Sequence, residues 1–267
     1  MDGTNKKRNR RPLSSGHSSD GSSQSSSDCD ARSATVRANN NNNIAKRKSR
    51  GKKKKNAPPS SHQKQELQQL SQEEKDLYIA IDCEMVGTGR DGQRSSLARV
   101  CMVDWDGNHL LDLYVRQTCQ VTDYRTFVSG ITEDDLTSEQ AVDFEECRTR
   151  VLDIVQGKIL VGHALKNDLH VLQISHPWHQ VRDTGKYEPF MKIRFDDGIL
   201  WPRKLKDLAK EKLDRDVQQS GQPHCPFEDA QTALDLYKKV RNKWEKAMEY
   251  KIKKTLEIQG KLLAAKE

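Results

Sequence analysis

The first residues with chemistry to offer are two acids at the end of a short apolar run. Asp82 and Glu84 flank Cys83 directly after residues 78–81, Tyr-Ile-Ala-Ile. Such a run favours a strand buried on both faces, and side chains two apart on a strand point to the same face. An Asp-x-Glu arises about once by chance in a chain of this length. Its position gives it weight, because the carboxyl ends of strands are where α/β folds bind ligands.

Two later segments each supply another acid. A second strand-like run enters a helix through Gly162, and Asp168 falls in the first turns of that helix. His224 stands in a loop, and Asp229 lies in the opening turn of the helix that follows. Taken singly, these residues have ordinary explanations: an exposed helical acid, a solvated loop histidine and an acid that complements a helix dipole. Their combination with the strand-end pair is far more specific.

Four carboxylates in one pocket are suited to hold divalent cations. Crowded carboxylates repel one another and raise each other's pKa, and a bound cation relieves that repulsion. Oxygen ligands suit the hard cations Mg²⁺ and Mn²⁺. An imidazole group titrates near neutral pH and can therefore serve as a general base beside such a site. The candidate metal ligands are Asp82, Glu84, Asp168 and Asp229.

The segments around the first acids predict an antiparallel meander. Residues 97–103 and 110–115 are strand-like, and Asp106-Gly107-Asn108 between them is a strong hairpin signal. Together with the strand before Asp82, they form three consecutive antiparallel strands.

Helical periodicity alternates with two further strand signals downstream. The strands are predicted at residues 159–161 and 180–184. The helices are predicted from Thr137 or Ser138 to Gly157, over residues 164–173 and 205–213, and from Pro226 onward. The whole pattern predicts an α/β fold with a mixed five-stranded sheet, in which the meander is joined by parallel strands and flanked by helices.

The N-terminal arm differs in composition from the rest. Residues 1–70 hold 16 Lys and Arg against five Asp and Glu, so the arm carries +11 and the remaining chain −4 of the total +7. Residues 14–43 are rich in Ser and Asn and poor in aliphatic side chains, which predicts disorder. Basic clusters at residues 6–11 and 46–55 fit a nuclear import signal, read by an import receptor, or a non-specific RNA tether. The alternative to either function is that the arm is only a solvated tail.

Cysteine spacing and hydrophobicity limit the class of protein further. The six cysteines show no C-x-x-C pair and no zinc-ligand spacing, which predicts reduced thiols. The N-terminus has charge but no apolar core after it, and no run approaches the ~18 apolar residues of a membrane span. We therefore expect a soluble intracellular protein without a membrane partner.

The joint pattern resembles the DEDDh superfamily of 3′→5′ exonucleases. Asp-x-Glu on the first strand, Asp after the middle strand and His-x4-Asp opening the last helix match the three motifs of that superfamily in order and in element. The chain looks most like the RNA exonuclease 4 branch at residues 81–87, 97–100, 121–131, 161–168 and 182–184. The resemblance implies a ribonuclease H-like fold. The resemblance covers about residues 77–245, and together with the composition of the two ends it divides the chain into a disordered arm at 1–70, an exonuclease domain at 71–250 and a basic helical or frayed tail at 251–267.

The resemblance also implies a two-metal mechanism that releases 5′-nucleoside monophosphates. Asp82 would bridge two cations, either Mg²⁺ or Mn²⁺. Glu84 and Asp229 would complete the shell of one cation, and Asp168 would serve the other largely through water. His224 would take the proton from the attacking water.

Four further side chains are candidate substrate contacts. Arg99 and Arg125 could hold phosphates, Met85 could pack against the terminal base, and Tyr124 could stack or contact ribose. For each of them, internal packing or a surface salt bridge is an equal explanation.

The resemblance favours RNA as the partner and ribosomal RNA maturation in the nucleus, specifically the nucleolus, as the setting; we expect a monomer. Two alternatives stay open. A DNA-directed 3′→5′ exonuclease is one, because discrimination of the 2′-hydroxyl depends on pocket geometry. The other is a non-catalytic RNA-binding ribosome-assembly factor, against which the intact set of five site residues argues.

Overall fold

The computed structural model describes residues 70–194 and 196–264. The predicted arm, with its basic clusters, lies outside the described residues except for Leu70. The strands are β1 (Tyr78–Thr88), β2 (Arg94–Val103), β3 (His109–Tyr114), β4 (Val121–Asp123), β5 (Ile159–Gly162), β6 (Val181–Asp183), β7 (Lys192–Ile193) and β8 (Leu200–Trp201). The helices are α1 (Gln72–Lys75), α2 (Thr126–Ser129), α3 (Glu133–Thr137), α4 (Phe144–Val155), α5 (Lys166–Val171), α6 (Leu205–Leu213) and α7 (Pro226–Ala264).

A mixed sheet with the strand order β3-β2-β1-β5-β6 forms the centre of the fold. β1, β2 and β3 are antiparallel, and β5 and β6 run parallel to β1. The predicted meander and parallel strands are therefore confirmed. The strand count was wrong, because β4 also pairs with the end of β1 and makes a sixth strand. Strands as short as β4, or as the separate pair β7 and β8, carry too few residues to show an alternating pattern.

β1 loses one of its neighbours partway along its length. Its pairing with β5 covers only Tyr78, Ile79 and Ala80, whereas its pairing with β2 continues to Thr88. An unpaired strand edge leaves backbone N–H groups that need acceptors from elsewhere. The edge of β1 between Ala80 and Gly87, where pairing with β4 begins, is therefore open to an element that can supply them.

Helices cover both faces of the sheet. On one face, Ile79 and Ile81 belong to a cluster that includes side chains of α4 and α5. On the other face, Tyr78 and Ala80 pack with side chains of α7. Because side chains alternate along a strand, the next even-numbered positions, Asp82 and Glu84, continue the face toward α7.

α7 begins at Pro226, as predicted. Its apolar side chains are buried at Ala230, Ala233, Leu234, Tyr237, Trp244 and Met248, whereas Ala247 is exposed. The helix continues to Ala264 without a break at residue 250, and no described residue after Met248 is buried.

A buried ion pair fastens β6 to α7. Arg182 donates from Nε and Nη2 to the two carboxylate oxygens of Glu245, each at 2.7 Å. Tyr237 adds a hydroxyl donor to the same carboxylate at 2.7 Å. Since Arg182 is buried, this pairing is what satisfies its charge.

The predicted helix start at Thr137 or Ser138 was wrong. Thr137 ends α3, and α4 begins at Phe144 after Asp143 as its N-cap residue. Backbone pairing explains the difference, because Val142 N donates to Tyr114 O at 2.9 Å and Arg116 N donates to Val142 O at 2.8 Å. The segment before α4 is thus held along the end of β3, and tertiary pairing outweighs the local N-cap signal.

No helix in the described part of the chain is both long and apolar enough to cross a bilayer. Free thiols are present at the five described cysteines, Cys83, Cys101, Cys119, Cys147 and Cys225.

Candidate active site

β1 directs Asp82 and Glu84 toward α7. Asp82 lies opposite Cys101 of β2 in the strand register, and Glu84 lies opposite Arg99. Glu84 is only 6% exposed, and Asp82 is half-buried. A bulge directly after Glu84 ends the regular register at this point. The predicted pair therefore shares one face, as the strand period requires.

Asp168 reaches β1 across its open edge. The Cys83 amide, which has no strand partner on that side, donates to Asp168 Oδ1 at 3.0 Å. Gly162 makes this approach feasible, because a Cβ there would lie 2.9 Å from Ile81 O and would also overlap Leu165. Only glycine lets β5 turn into α5 this close to β1.

Asp183 fixes the turn between β5 and α5. Its Oδ1 accepts hydrogen bonds from Ala164 N at 2.8 Å and Gly185 N at 3.0 Å. Ala164 has a φ of +60°, a left-handed conformation that costs a non-glycine residue about 1–3 kcal/mol. Asp183 thus stabilises the strained turn from which Asp168 is delivered, a role that sequence reasoning missed.

Asp229 lies in the first turn of α7 and is 3% exposed. Gln218 Nε2 donates to Asp229 Oδ2 at 2.8 Å, whereas Oδ1 is buried with no hydrogen-bond partner. Gln218 itself has a φ of +50°. A buried acceptor without a donor is rare in proteins. Because the hydrogen bond to Oδ2 fixes the carboxylate, the unpaired Oδ1 is suited to bind a cation. Sequence reasoning missed Gln218, because nothing in its loop links it to an acid eleven positions later.

His224 stands beside Asp229. Its backbone N–H donates to Val128 O at 2.7 Å, which ties the loop before α7 to α2. Its Nδ1 lies 3.8 Å from Asp229 Oδ2, and its side chain is 31% exposed. The imidazole is therefore next to the carboxylates and open to solvent.

Burial raises the pKa of all four carboxylates, and the charges of neighbouring acids add to the effect. Burial, followed by the charges of Asp168, Asp229 and Glu84, holds the pKa of Asp82 well above its ordinary value. Burial and Asp229 raise the pKa of Glu84 to about 8, against the opposing attraction of Arg99. Burial raises the pKa of Asp168 to about 7 and also raises that of Asp229. The predicted acids thus share one low-dielectric pocket with too little positive charge to balance them.

The structure therefore brings together the four predicted acids with His224 beside them. Their oxygens could hold hard divalent cations, which would relieve the repulsion. A tighter cluster lies nearby: among the described residues, the one group of three potential metal ligands with ligand atoms within 4.8 Å of one another is Cys101, His109 and Asp112. Sequence reasoning did not identify this group.

The two candidate phosphate-binding arginines make contacts within the protein. Arg99 donates to both carboxylate oxygens of Asp112, each at 2.8 Å. Arg125, with a φ of +52°, donates to Ser95 Oγ and Gly92 O, each at 3.0 Å. Both guanidinium groups have structural partners, and phosphate binding by them stays a prediction.

The other two candidate substrate contacts pack against apolar clusters. Met85 is half-buried against the cluster between the sheet and α4. Tyr124 is half-buried against a smaller cluster that includes Val86 and Ile131. Packing accounts for both side chains, and a contact with base or ribose stays a prediction.

Comparison with known proteins assigns the family. The RNase T exonuclease model matches residues 79–237. RNA exonuclease 4 of Candida glabrata is 45% identical over 63% of this chain and 62% of the relative, and that of Xenopus tropicalis is 44% identical over 65% and 40%. Interferon-stimulated 20 kDa exonuclease-like 2 of Bos taurus is 43% identical over 62% of this chain and 47% of the relative.

Solved structures show the same fold. The Pan2 pseudoubiquitin hydrolase–RNA exonuclease module of Saccharomyces cerevisiae, in complex with AAGGA RNA, matches with a TM-score of 0.55 and 30% identity over 72% of this chain and 34% of that module. The Neurospora crassa Pan2 catalytic unit matches with a TM-score of 0.53 and 31% identity over 68% and 30%.

The matches cover the domain rather than whole relatives, since the chain spans 40–62% of the length of the three curated proteins named above. The exonuclease model extends from β1 to the first turns of α7, and this stretch contains all five predicted site residues. The exonuclease model spans more than half of the chain, the motif order is that of the DEDDh superfamily, and the fold is ribonuclease H-like. The chain therefore belongs to the RNase T family of exonucleases.

Proposed function

We propose that this protein is a metal-dependent 3′→5′ exoribonuclease that releases 5′-nucleoside monophosphates. One observation carries the proposal: three nearly buried carboxylates, Glu84, Asp168 and Asp229, surround Asp82 and raise its pKa. A protein that used this surface only for packing would gain stability by replacing such acids with neutral residues. Their presence together is explained by a cation that they bind.

The residues fit a pair of Mg²⁺ or Mn²⁺ ions. All four donors are carboxylate oxygens, and Asp229 Oδ1 is buried without a donor of its own. Asp82, Glu84, Asp168 and Asp229 would together hold the two ions. When bound, the ions would stabilise charge on the phosphate and on the leaving 3′ oxygen.

The protein's own groups would orient the site and move a proton. Gln218 holds Asp229 Oδ2 and so presents Oδ1, and the Cys83 amide holds Asp168 Oδ1. His224 Nδ1 faces Asp229, which leaves Nε2 to take the proton from the attacking water.

RNA is the substrate favoured by the relatives. Two of the three curated relatives described above carry the name RNA exonuclease 4, and the Pan2 module was solved with RNA. We propose that this chain also acts on RNA 3′ ends, with ribosomal RNA maturation as its setting. The basic clusters at 6–11 and 46–55 would direct it to the nucleus and nucleolus through an import receptor.

Matched oligonucleotides test the proposal. Full-length protein is incubated with 5′-labelled RNA and DNA of one sequence, with Mg²⁺, Mn²⁺ or EDTA. We expect RNA to shorten one nucleotide at a time from its 3′ end, with 5′-nucleoside monophosphates as products and no reaction in EDTA. Equal or faster shortening of DNA would replace RNA by DNA as the substrate, and RNA binding without cleavage would support the assembly-factor alternative.

A matched pair of variants links the activity to the pocket. Asp82→Ala removes the central acid, and Asp153→Ala removes an exposed acid from α4 on the opposite face of the sheet. The first should abolish shortening and the second should leave it unchanged. Loss in both variants, or in neither, would refute the assignment of the pocket.

A further inference from the structure

A cysteine, a histidine and an aspartate gather on the β2–β3 hairpin, outside the four-carboxylate pocket. Ligand atoms of Cys101, His109 and Asp112 all lie within 4.8 Å of one another. Cys101 is buried, and the other two are exposed. The cluster is therefore open to solvent on one side and anchored in the sheet on the other.

A bulge in the hairpin creates the cluster. Cys101 lies opposite Asp112 in the register, so these two side chains share a face. His109 is three positions before Asp112, and on a regular strand it would point to the other face. The register shifts between Met102 and Val103, however, and His109 then pairs with Val103. The extra residue on β3 turns the imidazole to the side of Asp112.

α7 holds the imidazole in place. The ring of His109 stacks on Phe227 with centroids 4.0 Å apart and an interplanar angle of 8°. In this position His109 Nδ1 lies 4.0 Å from Cys101 Sγ. Sulfur and nitrogen ligands of one tetrahedral zinc ion lie roughly 3.5 Å apart, given Zn–S and Zn–N bonds of about 2.3 and 2.0 Å. The observed separation is close to that value.

The third ligand is also oriented. Arg99 donates to both oxygens of Asp112, each at 2.8 Å, and leaves a second lone pair on each oxygen. Outer hydrogen bonds of this kind are what fix carboxylate ligands at metal sites. Thiolate, imidazole and carboxylate together suit Zn²⁺ rather than Mg²⁺.

We propose that Cys101, His109 and Asp112 form a second, thiophilic metal site that binds Zn²⁺ with its fourth position open to water. The Cys101 thiol would lose its proton to solvent when the ion binds. Because Cys101 lies opposite Asp82, the bound charge would sit one side chain away from the carboxylate pocket. The site does not depend on the proposed nuclease activity.

Co²⁺ is the probe, because a cobalt–thiolate bond gives a near-ultraviolet charge-transfer band that carboxylate ligands do not give. Full-length protein is titrated with Co²⁺ and then with Zn²⁺. We expect the band to reach the intensity of one thiolate-bound Co²⁺ per chain and to disappear as Zn²⁺ displaces cobalt. No band, or a band that Zn²⁺ does not remove, would overturn the proposal.

Variants assign the ligands. Cys101→Ser should abolish the band, and His109→Ala, which changes an exposed side chain, should weaken Co²⁺ binding at least 10-fold. Cys225→Ser and Asp82→Ala should retain it, since neither residue belongs to the cluster. A band that survives in Cys101→Ser, or that is lost in Cys225→Ser, would contradict the assignment.

Discussion

Glu84 offers a quantitative test of the electrostatics in the carboxylate pocket. Its ordinary pKa of 4.5 is raised to about 8, chiefly by burial and by Asp229. A raised pKa means that the folded protein binds this proton more tightly than the unfolded chain does. In the absence of divalent cations, the contribution of Glu84 to stability is therefore greatest below pH 4.5 and falls as the pH rises toward 8.

The size of the effect follows from the two pKa values. Ionisation of Glu84 costs the folded state about 4 kcal/mol by pH 8 but only about 1 kcal/mol at pH 5. Glu84→Gln keeps the size of the side chain and removes the charge. In EDTA, the free energy of unfolding of Glu84→Gln minus that of the wild type should thus increase by about 3 kcal/mol between pH 5 and pH 8. Contributions that do not titrate cancel in this comparison.

The assay is urea denaturation followed by circular dichroism at pH 5, 6, 7 and 8. Glu249→Gln, on the exposed side of α7, is the matched control and should show no such trend. At pH 8, Mn²⁺ should make the wild type more stable than Glu84→Gln, because only the wild type has the Glu84 carboxylate to bind the ion. A difference between Glu84→Gln and wild type that stays constant with pH, or that favours wild type as the pH rises in EDTA, would refute the reasoning.

Three further predictions concern single side chains. Asp82→Ala should lower hydrolysis by more than roughly 100-fold and raise the melting temperature in EDTA, because it removes both a ligand and a repelling charge; a lower melting temperature would argue against repulsion. Gln218→Ala should raise the Mn²⁺ concentration for half-maximal binding by about 2–10-fold, the value of one hydrogen bond, whereas exposed Gln219→Ala should not, as calorimetry would show. Glu245→Ala should cost about 3–5 kcal/mol of unfolding free energy, since it strands a buried guanidinium, and the exposed Glu249→Ala should cost little; equal effects in urea denaturation would contradict this.

Much of the fold was predictable because periodicity is a local property. The run before Asp82 and the Asp-Gly-Asn turn specify the meander, and Pro226 with an apolar stripe specifies α7. The start of α4 was not predictable in this way. Ser138 is a good N-cap by itself, but Val142 pairs with the end of β3, and such pairing depends on residues distant in the chain.

The same distinction, between local patterns and contacts of distant residues, applies to the candidate site. Residue type, element order and the family resemblance together pointed to the four acids and His224. The expectation that Asp82 and Glu84 end the first strand was wrong, because pairing with β2 carries β1 on to Thr88. Gln218 and Asp183 act through hydrogen bonds across loops, which leave no periodic trace in the sequence. The cluster of Cys101 and His109 depends on a bulge that shifts the register by one residue, and spacing alone cannot reveal it.

The central claim is that one pocket binds cations through Asp82, Glu84, Asp168 and Asp229. Anomalous scattering from crystals grown with Mn²⁺ tests this claim most directly. Two manganese peaks should lie among the four carboxylates, with Asp82 contacting both, and Asp82→Ala crystals should lack them. A wild-type map with no peak between these side chains would contradict the claim that they are there to bind cations.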